Sequence, residues 1–200
     1  MNTFETLSDL LLHNRSYRRF DASKEISEET LRNLVNLTRY CASGRNAQPL
    51  KYRIVTSKEE CDAIFPTLWW AGYLEDWDGP IPEERPVAYI IQCLDSRHGQ
   101  NCLCCDGIQL EAITLGATAL GLGGCIIKSF KAQKLSESLN LPKGMIPRYV
   151  LALGHPVEEV QIVDMNGLPD ADFKYYRDIN GKHYVPKRPL EELIIKSDIK

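Results

Sequence analysis

The segment Asn14-Arg15-Ser16-Tyr17-Arg18-Arg19-Phe20 places three guanidiniums and a hydroxyl directly after an amphipathic run. Arginine forks pair bidentately with phosphate oxygens, Ser16 adds a short donor, and one guanidinium can reach a polar ring edge instead. This is anion-holding chemistry, although a solvated basic turn has the same composition. Two further segments add to it. Ser43-Gly44-Arg45-Asn46-Ala47-Gln48-Pro49 combines small residues, a hydroxyl and two side-chain amides in a loop suited to close approach by a polar heterocycle. Pro186-Lys187-Arg188-Pro189 contributes two more cations near the C-terminus.

A second kind of chemistry is concentrated around residues 95–105. His98, Cys102, Cys104 and Cys105 bring one imidazole and three thiols into eight residues. Such ligands suit zinc or an iron–sulfur centre, but no further cysteine pair follows at zinc-ribbon spacing. Thiols packed where a helix begins, or one activated by a helix N-terminus, are the other readings. His13, His155 and His183 show no ligand spacing, and the Glu28-Glu29, Glu59-Glu60, Glu83-Glu84 and Glu191-Glu192 pairs fit helix-dipole compensation better than acid catalysis. Trp69, Trp70, Tyr73 and Trp77 lie among glycines and prolines in a lid-like stretch over about 66–85. They can stack planar molecules, or simply pin the loop to the fold.

Regular elements must hold these groups in place. Phe4, Leu7, Leu10 and Leu11 recur at helical spacing up to His13; Ser27 caps a second helix through Leu31, Leu34, Val35 and Thr38. Strands are predicted at Tyr52 to Thr56, Val87 to Leu94, Cys125 to Ile127 and Tyr149 to Leu153, the second being apolar enough to be central. Short helices are expected from Ser57 to Ile64, from Lys131 to Leu139 and from Pro189 to Leu193. The run from Asp106 to Leu120 leaves little of a helix circumference polar, as in a core helix or a subunit interface. From Asp164 the tail is polar and rich in Gly, Pro and Asp. One α+β domain over 1–200, without internal repeat or linker, is the coarse expectation.

Composition limits the function classes. With 200 residues, 44% hydrophobic and 26% charged, the chain is neither a disordered tail nor a solenoid. A net charge of -3 gives a nucleic-acid backbone no general attraction, and the apolar stretch from Ile108 to Ile127 is interrupted by Gln109, Glu111 and glycines. No nucleic acid and no membrane partner is expected. Seven scattered cysteines without a secretory leader predict reduced thiols and a cytoplasmic protein.

Five ordered pieces extend the reading: R-S-x-R-x-F from Arg15, S-x-x-N-x-Q-P from Ser43, A-L-G-L-G from Ala119, L-A-L-G-x-P from Leu151, and P-K-R-P-L-E-E-L from Pro186. Together they resemble the FMN-dependent nitroreductase family over nearly the whole chain. The resemblance implies an α+β three-layer sandwich, with a mixed, mainly antiparallel central sheet flanked by helices. It also implies an entwined homodimer with FMN sites at the interface. By position, Arg15, Ser16 and Arg18 would grip the phosphate, ribityl chain and pyrimidine edge, with Lys187 and Arg188 completing the phosphate pocket. Ser43, Asn46 and Gln48 would reach the flavin from the partner subunit, and the backbone of Ile127, Lys128 and Ser129 would face flavin N5. Ala42 replaces a frequent proline, Leu50 a frequent aromatic and Ser129 a common glycine, so the pocket shape departs from the family pattern.

In this reading no side chain is a nucleophile; the flavin carries hydride from NAD(P)H to a nitroaromatic, quinone or similar small-molecule acceptor by ping-pong turnover. No G-x-G-x-x-G fingerprint offers a separate dinucleotide site, so the nicotinamide binds only transiently. The alternatives are a flavin-binding redox sensor and a thiol- or metal-binding module. The wide distribution of the flavin-type residues favours the enzyme.

Overall fold

The computed structural model describes residues 2–99, 101, 102, 104–165 and 173–195. Much of the polar stretch after Asp164, together with two positions of the Cys/His-rich insertion, lies outside the described residues. Within them the chain forms two compact units, Met1–Trp70 with Asp78–Val157, and Ala71–Trp77 with Glu158–Lys200.

The larger unit begins with α1 (Thr3–His13), started by a reciprocal cap in which Asn2 Oδ1 accepts the Glu5 N–H at 2.9 Å while the Glu5 carboxylate accepts the Asn2 N–H at 2.9 Å. Ser27 caps α2 (Glu28–Asn36) by accepting from the Thr30 N–H, and Ser57 caps α3 (Lys58–Ile64) by accepting from the Glu60 N–H. Strands β1 (Leu50–Val55), β2 (Ala88–Asp95), β3 (Gly123–Ile127) and β4 (Met145–Gly154) make one antiparallel sheet in the order β1-β2-β4-β3. All of β2 is buried, as its largely apolar sequence, interrupted by Gln92 and Asp95, suits a strand covered on both faces. Helices α4 (Cys105–Ala119) and α5 (Ala132–Ser138) complete the unit.

One face of the sheet carries the main core. Leu31 and Leu34 of α2 and Leu110, Ile113 and Ala117 of α4 pack on Ala88 and Ile90 of β2 and Leu151 and Leu153 of β4. Each such aliphatic side chain contributes about 1.5–3 kcal/mol when fully buried. Helix α4 ends where Gly121 takes φ +71; Leu122 N–H reaches Ala117 C=O at 2.9 Å and Gly121 N–H reaches Thr118 C=O at 3.0 Å. This left-handed closure explains the glycine and turns the chain into β3. Within the single chain part of the α4 surface remains uncovered. Ile108 and Leu120 stand exposed, as do Phe4, Leu7, Leu11 and Leu12 of α1.

The smaller unit holds β5 (Val160–Asp164), β6 (Tyr176–Arg177), β7 (His183–Lys187) and α6 (Leu190–Leu193). Its sheet has the order β5-β7-β6, with β5 and β7 parallel and β6 antiparallel to β7. Its strands are absent from the sequence-based expectation because they are short and interrupted by polar residues and Pro186. Among the described residues no helix is long and apolar enough to cross a membrane.

Candidate functional site

The arginine run leaves α1 and lies alongside the start of β3. Ser16 forms a parallel bridge with Gly124, and Tyr17 N–H donates to Gly124 C=O at 3.0 Å. A side chain at Gly123 would meet Pro156 at 2.5 Å and Tyr17 at 2.6 Å, so glycine there permits the close approach. Asn14 secures the run from the other side, its amide donating to Glu111 at 3.0 Å and Thr114 at 2.9 Å on α4. This tether has no sequence motif of its own; only the packing of α1 against α4 brings it about.

The three guanidiniums have different roles. Arg19 forms a two-pronged pair with Glu84, both contacts at 2.6 Å, which makes it a structural cross-link. Arg18 is 8% exposed and donates to Ser16 C=O at 3.1 Å. Arg15 donates through Nη2 to Leu11 C=O at 2.6 Å, while its buried Nε has no partner. Such an orphaned donor, three residues before the buried cation of Arg18, suits an anionic ligand.

From Gly124, β3 runs three residues to Ile127, a span of roughly 10 Å at about 3.3 Å per residue, and leads directly into Lys128 and Ser129. Ile127 is buried; Lys128 and Ser129 are exposed. Lys128 Nζ lies 4.3 Å over the Tyr149 ring and donates to Arg148 C=O at 3.3 Å. Trp69 N–H donates to Ser129 C=O at 3.1 Å, Leu68 bridges Phe130, and Lys131 Nζ stands 5.5 Å over the Trp69 ring. An exposed indole therefore sits beside the segment expected to face the flavin. Trp70 differs. It is 8% exposed, 5.9 Å from Phe65 and against Gly79, so its packing pins the stretch rather than forming an open wall.

The Ser43–Pro49 loop is held at the N-terminus of α4. Ser43 Oγ accepts the Gln48 N–H at 3.0 Å, the Gln48 amide donates to Asn46 Oδ1 at 3.1 Å, and Gly44 N–H donates to Cys105 Sγ at 3.3 Å. Arg45, Asn46 and Gln48 all take positive φ, from 45 to 55°, a conformation that side chains other than glycine adopt at a cost of about 1 kcal/mol or more each. Asn46 and Gln48 are exposed, on the rim of a cavity of about 290 Å³ that Thr38, Cys41, Tyr52 and Gln109 also line. Burial pushes the Tyr52 hydroxyl up to about 12, so it stays protonated and donates to Gln109.

The cysteine cluster does not converge. Among the described residues no group of three His, Cys, Asp or Glu side chains could hold a metal. His98 pairs with buried Asp95 at 3.6 Å, Cys104 points to solvent, and Cys102 and Cys105 are buried. Cys102 donates to Asp106 at 3.1 Å; burial and that carboxylate raise its thiol above the ordinary value, the opposite of an activated thiolate.

Tyr73, Trp77, Lys187 and Arg188 belong to the smaller unit. There Tyr73 lies 4.9 Å from Tyr175, and the Arg177 guanidinium covers Trp77 at 4.2 Å while paired with buried Glu158 at 2.9 Å. Lys187 ends β7 opposite Asp164, and Arg188 pairs with Glu192 at 3.0 Å.

Residues 11–86 match the family model described as the Nitroreductase family. Solved structures share the fold. A putative NADH dehydrogenase/NAD(P)H nitroreductase from Parabacteroides distasonis is 21% identical with TM-score 0.62, covering 76% of this chain and 88% of its own. A nitroreductase family protein from Clostridium novyi is 22% identical with TM-score 0.63, covering 78% and 86%. One from Streptococcus pneumoniae is 14% identical with TM-score 0.67, covering 96% and 100%. No protein of curated function matches the chain. At these identities the structural likeness is one of fold. Residues 11–86 thus match the nitroreductase family model, and the chain shares its architecture with solved nitroreductase-family structures over at least three quarters of its length.

Proposed function

We propose that the chain is a cytoplasmic FMN-dependent oxidoreductase, active as a homodimer with its flavin at the interface. Bound FMN would supply the redox chemistry, accepting hydride from NAD(P)H in one half-reaction and passing electrons to a nitroaromatic, quinone or similar acceptor in the other. Arg15, Ser16 and Arg18 would hold the phosphate, ribityl chain and pyrimidine edge, with Lys187 and Arg188 adding positive charge at the phosphate. Ser43, Asn46 and Gln48 would act on the partner's flavin. The cation at Arg18 favours an electron-rich ring beside it. The backbone at Lys128 and Ser129 would donate toward N5, and Trp69 would stack the acceptor.

One observation carries this reading. Strand β3 runs from Gly124, beside the arginine run, to Ile127 and into Lys128 and Ser129, over a length comparable to the separation between the phosphate and the ring of FMN, with Arg15 Nε unpartnered at the anionic end. The exposed apolar faces of α1 and α4 support the homodimer, since a second copy would cover them. The test is the visible spectrum of gently purified protein, FMN titration, and stopped-flow mixing with NADH and NADPH. A yellow dimer bleached by either nucleotide and reoxidised by menadione or nitrofurazone is expected. Colourless protein that takes up no FMN would refute the reading; a flavin band unmoved by both nucleotides would refute the reductive half.

A further inference from the structure

We infer that Cys105 is a positioning residue for the flavin loop, a thiol that fixes which way the Ser43 hydroxyl proton points. The inference rests on the flavin reading above. Cys105 is 1% exposed in the first turn of α4, within the cluster formed with Leu50, Leu94 and Cys102. Its sulfur receives the Gly44 N–H at 3.3 Å and stands 3.5 Å from Ser43 Oγ.

A hydroxyl has one proton and two lone pairs. On Ser43 the Gln48 N–H fills one lone pair at 3.0 Å. The Ser43 Oγ–Cys105 Sγ contact fits either direction; in the proposed arrangement the S–H donates to the second lone pair, which leaves the Ser43 proton to donate outward, to a ring carbonyl or nitrogen. The same sulfur accepts from Gly44, closing a ring of contacts around Ser43, Gly44 and Gln48. Because Arg45, Asn46 and Gln48 lie at positive φ, the loop has more relaxed conformations available once that ring is opened. Alanine at 105 would leave the Gly44 N–H without an acceptor and free the Ser43 proton to turn inward; serine would restore a donor and an acceptor.

The experiment compares wild type, Cys105→Ala, Cys105→Ser and Cys102→Ala by FMN affinity from fluorescence quenching and by amide hydrogen exchange at Gly44 and Gln48. Cys102→Ala removes the same volume from the same cluster while leaving the sulfur contacts to Ser43 and Gly44 in place, since the Cys102 thiol bonds Asp106. Cys105→Ala should bind FMN about tenfold more weakly and exchange Gly44 faster, Cys105→Ser should stay within about threefold of wild type, and Cys102→Ala should match wild type in both readouts. Equal affinity and exchange in wild type and Cys105→Ala overturns the inference and leaves the flavin reading intact, as does a Cys102→Ala variant that loses as much as Cys105→Ala. A wild type with no FMN affinity overturns the flavin reading, and the Gly44 comparison then decides whether Cys105 sets the loop. Should Cys105→Ala not fold, wild-type Gly44 decides alone: slow exchange supports the contact and unprotected exchange overturns it.

Discussion

The guanidinium of Arg19 meets the carboxylate of Glu84 through two contacts of 2.6 Å, and both side chains are largely covered. That pair separates Arg19 from its neighbours Arg15 and Arg18. Arg15→Ala and Arg18→Ala are each expected to weaken FMN binding at least about tenfold, as loss of a charge-assisted contact does. Arg19→Ala should leave FMN affinity nearly unchanged and lower unfolding stability by about 1–3 kcal/mol. Fluorescence titration and urea denaturation of the three variants check the division; a stability-neutral Arg19→Ala that loses FMN would reverse it.

The two adjacent tryptophans should also part company. Trp69→Ala is expected to raise KM for several planar acceptors severalfold with FMN affinity and stability little changed, since its ring is exposed beside Ser129. Trp70→Ala removes a buried ring and should cost about 3–5 kcal/mol in denaturant unfolding. Steady-state kinetics with a quinone and a nitroarene, set beside the unfolding curves, distinguishes them.

All seven cysteines are free, but only Cys104 is exposed and Cys41 is half-buried. Burial raises the thiols of Cys41, Cys61, Cys93 and Cys102, Cys61 up to about 12 and Cys93 up to about 11. At pH 8 the native protein should therefore react with a disulfide reagent fast at one thiol, Cys104, and slowly at Cys41. Denaturant should expose the full complement. Mass spectrometry after timed alkylation identifies the sites, and early labelling of Cys61 or Cys102 would contradict the burial.

Asp21 receives hydrogen bonds from Ser23 and pairs with Lys24, which lowers its carboxyl to about 2. A group whose folded value lies below its unfolded value of about 3.9 adds stability above that unfolded value and loses it as pH falls toward the folded one. The Asp21 contribution should thus be complete at pH 5 and disappear between about pH 4 and pH 2. Asp21→Asn should flatten that part of the stability–pH curve; identical slopes for the two proteins would show that the carboxyl carries none of it.

Much of the fold is legible locally. Ser27 and Ser57 cap the helices expected of them, Gly121 ends α4, and the largely apolar run of β2 marks it as an interior strand. These signals are complete within a few residues, because a cap or an alternating pattern needs only neighbours. The small sheet was not legible, since strands of two to five residues carrying His183 and Pro186 offer no period to detect.

The candidate site divides the same way. Sequence alone determined which residue types are available: the arginines and Ser16 after α1, the amides of the Ser43–Pro49 loop, the indoles, the thiols. Tertiary structure decided their use. It gave Arg19 to Glu84, 65 positions away, and left Arg15 Nε without a partner. It buried Trp70 while exposing Trp69, and it set Cys105 against a loop 61 residues earlier. Hydrogen bonding and burial depend on which distant groups share a contact, and no local pattern encodes that choice.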